Sequence, residues 1–168
     1  MNREILFPTP VYMKMVKDPK KLNKYLYPLI KAWSKKDKSE TKTNAGGGWH
    51  SPTDMNHKKE YKPLIDELFV MQEEIYKDYG MEPKPGLGNM WANINYPGSY
   101  RRLTGLPKAL WRMVIYPAIE GQMVMFPAWL PHGVEMNESK EKGEKGWRVS
   151  VSFNFIQINE LAVKMKDK

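Results

Sequence analysis

The segment WRVSVSFNFI, residues 147–156, alternates in a way that could do chemistry. In a strand, Trp147, Val149, Val151, Phe153 and Phe155 point one way, while Arg148, Ser150, Ser152 and Asn154 point the other. One reading of the polar face is an ordinary wet side of an antiparallel sheet. The other notes that it lacks the lysine and glutamate used elsewhere on the outside of this chain. Arg148 and Ser150 then offer a planar donor fork and a hydroxyl suited to bidentate capture of a carboxylate. Upstream, GQMVMFPAWLPHGVEMN runs an apolar strand into Phe126-Pro127, turns at Trp129-Leu130 and delivers His132 to the start of a further strand. An imidazole there is either a structural polar group or a metal ligand. A second cluster, His50, Asp54 and His57 in HSPTDMNH, has the spacing that one helix face would align. Pro52 and the glycines before it oppose a long helix at that place.

These groups need elements to hold them. ILFPTPVYMKMV reads as a short strand, with Pro8 and Pro10 confining it to a sheet edge or a strand start. Asp18-Pro19 then opens a helix, Asp18 as N-cap and Pro19 at the first helical position. Leu22, Tyr25, Leu26, Leu29, Ile30 and Trp33 form its apolar face, with lysines turned to water. Residues 34–48 (SKKDKSETKTNAGGG) read as a polar loop, and a second helix is expected at about 61–79, stopped by Gly80. After MEPKPGLG the pattern changes to strands. MWANINY places Trp91, Asn93 and Asn95 on one face, with Met90, Ala92, Ile94 and Tyr96 on the other. Residues 111–116, 122–126, 132–136 and 147–156 follow as strands, with 140–146 a hairpin-type loop. Two helices before a run of short strands predict a mainly β, α+β fold, a sandwich or barrel with the helices packed outside.

Composition bounds the possibilities further. A chain of 168 residues with 41% hydrophobic and 27% charged residues suits a single domain. Cysteine is absent, which removes disulfides, thiolate metal sites and cysteine nucleophiles. Any metal would rest on carboxylates and the three histidines, His50, His57 and His132. No apolar run approaches the roughly 18 residues of a membrane span, and MNREILFPTPVY is too charged and proline-broken for a signal peptide. A cytoplasmic location is the expectation. The net charge of +8 fits either a solvated lysine-rich exterior or an anionic partner. Ten lysines stand against Asp18, Asp37 and Glu40 between Lys14 and Lys42, so nucleic acid is one candidate partner.

LFPTPVY, GGWHSPTDM, MWANINYPGSY, EGQMVMFPAWLPHGVEMN and RVSVSFNF together make the chain resemble the 2-oxoglutarate/Fe(II)-dependent oxygenase family of phage and marine bacteria. The likeness runs from about residue 5 to 157. It implies a double-stranded β-helix, or jelly roll, with two N-terminal helices packed on it. Within a single domain 1–168, residues 1–80 would hold the N-terminal strand and helices, 86–157 the jelly-roll strands and 158–168 a tail. The resemblance implies Fe(II) and 2-oxoglutarate as cofactors. His132 is similar to the distal iron-binding histidine, Arg148 to the arginine that holds the far carboxylate of 2-oxoglutarate, and Ser150 to its hydroxyl partner. Asn93, Asn95 and Tyr100 fall where such proteins border the cosubstrate.

The pattern departs after PGSY. The family calls there for an Asn and then a closely spaced metal-ligand pair, a histidine with Asp or His. This sequence has RRLTGLPKALWRM and carries no His, Asp or Glu between Tyr100 and Glu120. On the order of 30 residues, one to three strands, are missing from the pattern. The functional expectation is an oxygenase-like protein, hydroxylating an unknown substrate or catalytically degenerate. The alternatives are a non-catalytic jelly-roll binding protein and a basic nucleic-acid-binding protein. A small-molecule or macromolecular substrate, no membrane, and a homo-oligomer closing exposed sheet edges complete the expected partners.

Overall fold

A computed structural model describes residues 9–37, 47–82, 86–100 and 117–156. Its elements are β1 (Tyr12–Met15), α1 (Pro19–Lys36), β2 (Trp49–His50), α2 (Lys62–Asp78), β3 (Leu87–Asn95), β4 (Gln122–Met125) and β5 (Arg148–Phe155). Short 3-10 turns occupy Met55–His57, Lys59–Tyr61 and Gly143–Gly146.

The caps explain both helices. The Asp18 carboxylate accepts from the Lys21 amide at 3.1 Å, and Pro19 opens α1 where a missing N–H costs nothing. Lys35 and Lys36 sit in the last turn, against the negative end of the helix dipole. Helix α1 therefore runs to Lys36, beyond the Ser34 start expected for the polar loop; residues 38–46 of that loop lie outside the described residues. Helix α2 ends in a Schellman turn: Met81 N–H donates to Tyr76 O at 2.8 Å and Gly80 N–H to Lys77 O at 3.0 Å. Gly80 takes φ +65°, the left-handed conformation the motif requires.

The strands form antiparallel sheets. β1 and β4 make a ribbon in which Tyr12 faces Met125 and Met15 faces Gln122. The other sheet has the order β2-β3-β5, with Trp49 opposite Ile94 and Asn95 opposite Arg148. Its inner face supplies Trp49, Met90, Ala92 and Ile94 to one core shared with Leu26 and Ile30 of α1 and Leu64, Leu68 and Met71 of α2. Val149, Val151, Phe153 and Phe155 of β5 pack on the same cluster, with Phe155 6.0 Å from Phe69 of α2. The alternations expected in β3 and β5 are thus the ones that fold. The ribbon is fastened to α2 by the Tyr12 hydroxyl on Asp78 and the Lys14–Glu74 ion pair, and Met123 carries it into the core.

One expectation needs correction, and the opposition of Pro52 to a long helix at 50–57 holds. Residues 132–136 form no strand and carry only a single bridge residue at Val134. The reason lies in a side chain: Arg148 Nη2 donates to the Glu135 carbonyl at 2.7 Å, filling an acceptor that a neighbouring strand would otherwise use. Residues 50–57 form no helix either. His50 is in β2, Asp54 bridges Met90 and His57 ends a 3-10 turn, so the three do not share a helix face. The strand expected at 111–116 and the tail 158–168 lie outside the described residues.

Tyr61 is 2 % exposed, between Trp33 and the core, and burial pushes its phenol up to about 12. A raised phenol pKa favours the neutral folded form, so this contribution is complete below the unfolded value near pH 10 and fades as pH rises toward 12. Tyr61→Phe should keep more of its neutral-pH stability at pH 11 than the wild type, measured by urea unfolding. Equal losses in the two proteins would rule out Tyr61 as the titrating group.

Candidate functional site

The outer face of the β2-β3-β5 sheet gathers the polar residues. Register puts Asn95 opposite Arg148, Asn93 opposite Ser150 and Trp91 opposite Ser152. His50 of β2 faces Asn93 from the other side, so His50, Asn93 and Ser150 form one row across three strands. Period-two geometry places them all on the side away from the helices. The residues expected at 93, 95, 148 and 150 are therefore brought together on one surface. Asn93 and Asn95 are buried, Arg148 is half-buried and Ser150 is exposed.

Hydrogen bonds leave this face incomplete. Asn93 Nδ2 donates to Ser152 Oγ at 3.2 Å, but its Oδ1 is buried without a partner, as is the indole Nε1 of Trp91. Buried polar atoms normally find partners, so this donor and this acceptor mark where a ligand group or water completes the surface. His50 stacks on Trp91, centroids 5.6 Å apart, and its Nδ1 lies 2.6 Å from the Ser51 carbonyl. Ser51 fastens β2 to β3 in both directions: its amide donates to Ala92 O, and its hydroxyl accepts from Ala92 N–H, each at 3.0 Å.

Arg148 links this face to the His132 segment. One of its N–H groups is spent on Glu135 O; the others take no partner among the described residues. Burial pushes the guanidinium below its ordinary value, and the Glu135 carboxylate opposes that drift. The cation is partly stripped of water and faces an unfilled polar surface, which favours an anion.

His132 lies on an exposed corner formed by a turn in which Leu130 N–H donates to Pro127 O. Its ring packs 4.8 Å from Phe126, and Nδ1 sits 2.9 Å from the Leu130 carbonyl. A carbonyl only accepts, so Nδ1 is the donor in this contact; in the neutral ring that arrangement puts the lone pair on Nε2, the tautomer a metal-binding histidine needs. Tyr100 is half-buried just past the turn that follows β3.

The residue that organises the region was not anticipated. Asn137, 7 % exposed, donates through Nδ2 to Asn95 O at 2.9 Å and to Gly146 O at 2.7 Å. Its amide donates to Ser99 O at 2.9 Å, and its carbonyl accepts from Gly98 at 2.8 Å. One side chain thus ties the end of β3, the entry to β5 and the His132 segment into a unit. Gly146 must be glycine, because a β-carbon there would overlap the Glu141 carbonyl and crowd Pro97. The spacing between Asn137 and Gly146 carries no periodic signal in the sequence. The nearest cue was the asparagine ending the quoted HGVEMN stretch.

Comparison with known proteins adds one finding. Residues 101–154, about a third of the chain, match the family described as "Putative 2OG-Fe(II) oxygenase". No curated protein matches the chain. The matched stretch contains His132, Arg148 and Ser150; Asn93, Asn95 and Tyr100 precede it. The likeness supports oxygenase-like function at the level of the family. Fe(II) and 2-oxoglutarate are the groups that family implies, and they fare differently against this surface. The guanidinium, with one N–H bonded among the described residues, the Ser150 hydroxyl and the unpartnered Trp91 Nε1 are donors that fit a small oxo-dicarboxylate, whereas Asn93 Oδ1 is an acceptor that only a donor such as water would meet. Iron does not fit: among the described residues no three His, Asp or Glu side chains come together to share an ion. No described helix is long and apolar enough to cross a membrane.

Asn137→Ala should destabilise the protein by about 2–4 kcal/mol, because two buried carbonyls lose their donor. Asn137→Asp, similar in shape but unable to donate there, should lose nearly as much in urea denaturation. If Asn137→Asp matches the wild type, the amide donor is not what holds the three segments.

Proposed function

We propose that this chain is an oxygenase-like jelly-roll protein that captures 2-oxoglutarate, or a closely similar oxo-dicarboxylate, without oxidising a substrate. The observation that supports this most is the shared register of Arg148, Ser150, Asn93 and Asn95 on one sheet face, with the guanidinium half-buried and mostly unspent. On this reading Arg148 and Ser150 hold the far carboxylate, a charge-assisted pair in partly desolvated surroundings. Trp91 Nε1 would donate to an oxygen at the other end of the ligand, and a water would meet the acceptor Asn93 Oδ1. Tyr100 borders the ligand from the turn after β3. Asn137 and Arg148 act on the ligand's frame by fixing the His132 segment to both strands.

Loss of turnover follows from the donor set. Iron in such a site takes three protein ligands with positions left open for cosubstrate and oxygen. His132 has the right tautomer, yet the stretch where the family places its partners carries no His, Asp or Glu. One imidazole leaves the ion almost entirely in water's hands. The missing pair accordingly removes oxidation and leaves anion capture, which needs no metal.

Calorimetric titration with 2-oxoglutarate in the presence of a chelator tests the proposal. Binding should be measurable, and Arg148→Gln should weaken it about tenfold or more, the scale of one charge-assisted contact. Adding Fe(II) should neither tighten binding nor yield succinate. Absence of heat at about 10 mM ligand would overturn capture. Succinate release would overturn loss of turnover and show that further donors complete an iron centre.

A further inference from the structure

We propose that the outer face of α1 is a docking surface for the phosphate backbone of double-stranded nucleic acid. The charge of this protein is segregated between its helices. From Pro19 to Lys36, α1 carries six lysines and no acidic residue, whereas α2 carries Asp66, Glu67, Glu73, Glu74 and Asp78 against two lysines. The two helices also use their charges differently. Lys62 and Lys77 of α2 pair with Asp66 and Glu73, each at 2.7 Å and one turn away. On α1 only Lys31 is paired, with Glu144; Lys20, Lys21, Lys24, Lys35 and Lys36 are exposed and make no ion pair among the described residues.

Helical geometry turns these charges into a track. Lys20, Lys24, Lys31 and Lys35 recur at steps of four, seven and four residues, which confines them to an arc of about 60°. The centre of that arc lies about 130° around the helix from Leu26 and Ile30, the buried side of α1. At 1.5 Å per residue the track is about 22 Å long. Away from the track, on the Lys36 side of the helix, Lys36, Lys58 and Glu60 line a groove of about 260 Å³, with Lys58 4.9 Å above the Trp33 ring.

The same geometry selects the occupant. A helix that enters a lipid surface must offer it an apolar face, and that face of α1 is already consumed by the core. Single-stranded nucleic acid calls for rings on which bases stack. Tyr25, the exposed ring of α1, lies about 80° around the helix from the edge of the track and is held through its hydroxyl to the Glu60 carbonyl at 3.0 Å. Ammonium groups in line along a helix, three of the four without an ion pair among the described residues, are suited to a linear polyanion, bound through its backbone with release of counterions.

Fluorescence anisotropy with a labelled DNA duplex, and separately an RNA duplex, tests the proposal on the full chain. Lys20→Gln, Lys24→Gln and Lys35→Gln combined should weaken binding about tenfold at low salt and flatten the log K against log [salt] slope by about 3. The control is Lys59→Gln, Lys62→Gln and Lys77→Gln combined, which removes equal charge from the exposed side of α2 and the turn before it and should change affinity less than about twofold. No anisotropy change for the wild type would overturn the proposal. So would equal losses in the two triple variants, or anionic phosphatidylserine vesicles outcompeting the duplex. The outcome is independent of 2-oxoglutarate capture, because none of the substituted lysines lies on the β2-β3-β5 face.

Discussion

A single buried carboxamide holds together everything that this protein offers as a site. Asn137 reaches the carbonyls of Asn95 and Gly146 at once, so the last residue of β3 and the approach to β5 are fixed by the same nitrogen. Burial makes each carbonyl expensive to leave without this donor. Because Asn95 faces Arg148, the clamp also sets where the guanidinium emerges from the sheet. The Arg148 bond to Glu135 then closes a loop of constraints from strand to segment and back. Position, here, is decided by hydrogen bonds from side chains to backbone rather than by a further strand.

That substitution explains how a short chain keeps a defined polar surface. A jelly roll ordinarily secures its ligand-facing residues by closing strands around them. In this protein the 132–137 segment is secured by an asparagine and an arginine. The helices cover the apolar side of the sheet, where Met90 and Ala92 are fully buried. The opposite side is left to polar residues whose unfilled donors and acceptors cost stability unless something meets them. A surface kept in that condition costs folding free energy, and it is the kind of cost that functional sites carry.

Much of this was legible in the sequence, for identifiable reasons. Asp18-Pro19 and Gly80 act locally, so the ends of the helices could be read from single residues and were found nearly in place. The alternations in 90–96 and 147–156 have the period of the pleat and sort their own faces, and the register then sets Asn93 and Asn95 on the same side of the sheet as Arg148 and Ser150. The segment 132–136 looked extended but forms no strand, and no pattern along one chain reports whether a partner strand lies beside it. β2 is two residues long, too short to show any period, so the row joining His50 to Asn93 was invisible. Asn137 acts across 42 positions to Asn95, a separation at which composition and spacing say nothing.

The contrast between His132 and Arg148 decides how the resemblance to iron oxygenases should be weighed. A metal centre is collective: its affinity comes from several donors acting on one ion, and it collapses when donors are removed. Anion capture by a guanidinium is separable, since each charge-assisted bond contributes about 1.5–3 kcal/mol by itself. On the proposed reading, a chain that keeps Arg148 and Ser150 while carrying no His, Asp or Glu between Tyr100 and Glu120 would lose the collective function and keep the separable one. Capture by what remains would fall in the millimolar-to-micromolar range, as expected when about ten ligand atoms contribute at ordinary efficiency. Such binding would make the stability of the fold depend on ligand concentration.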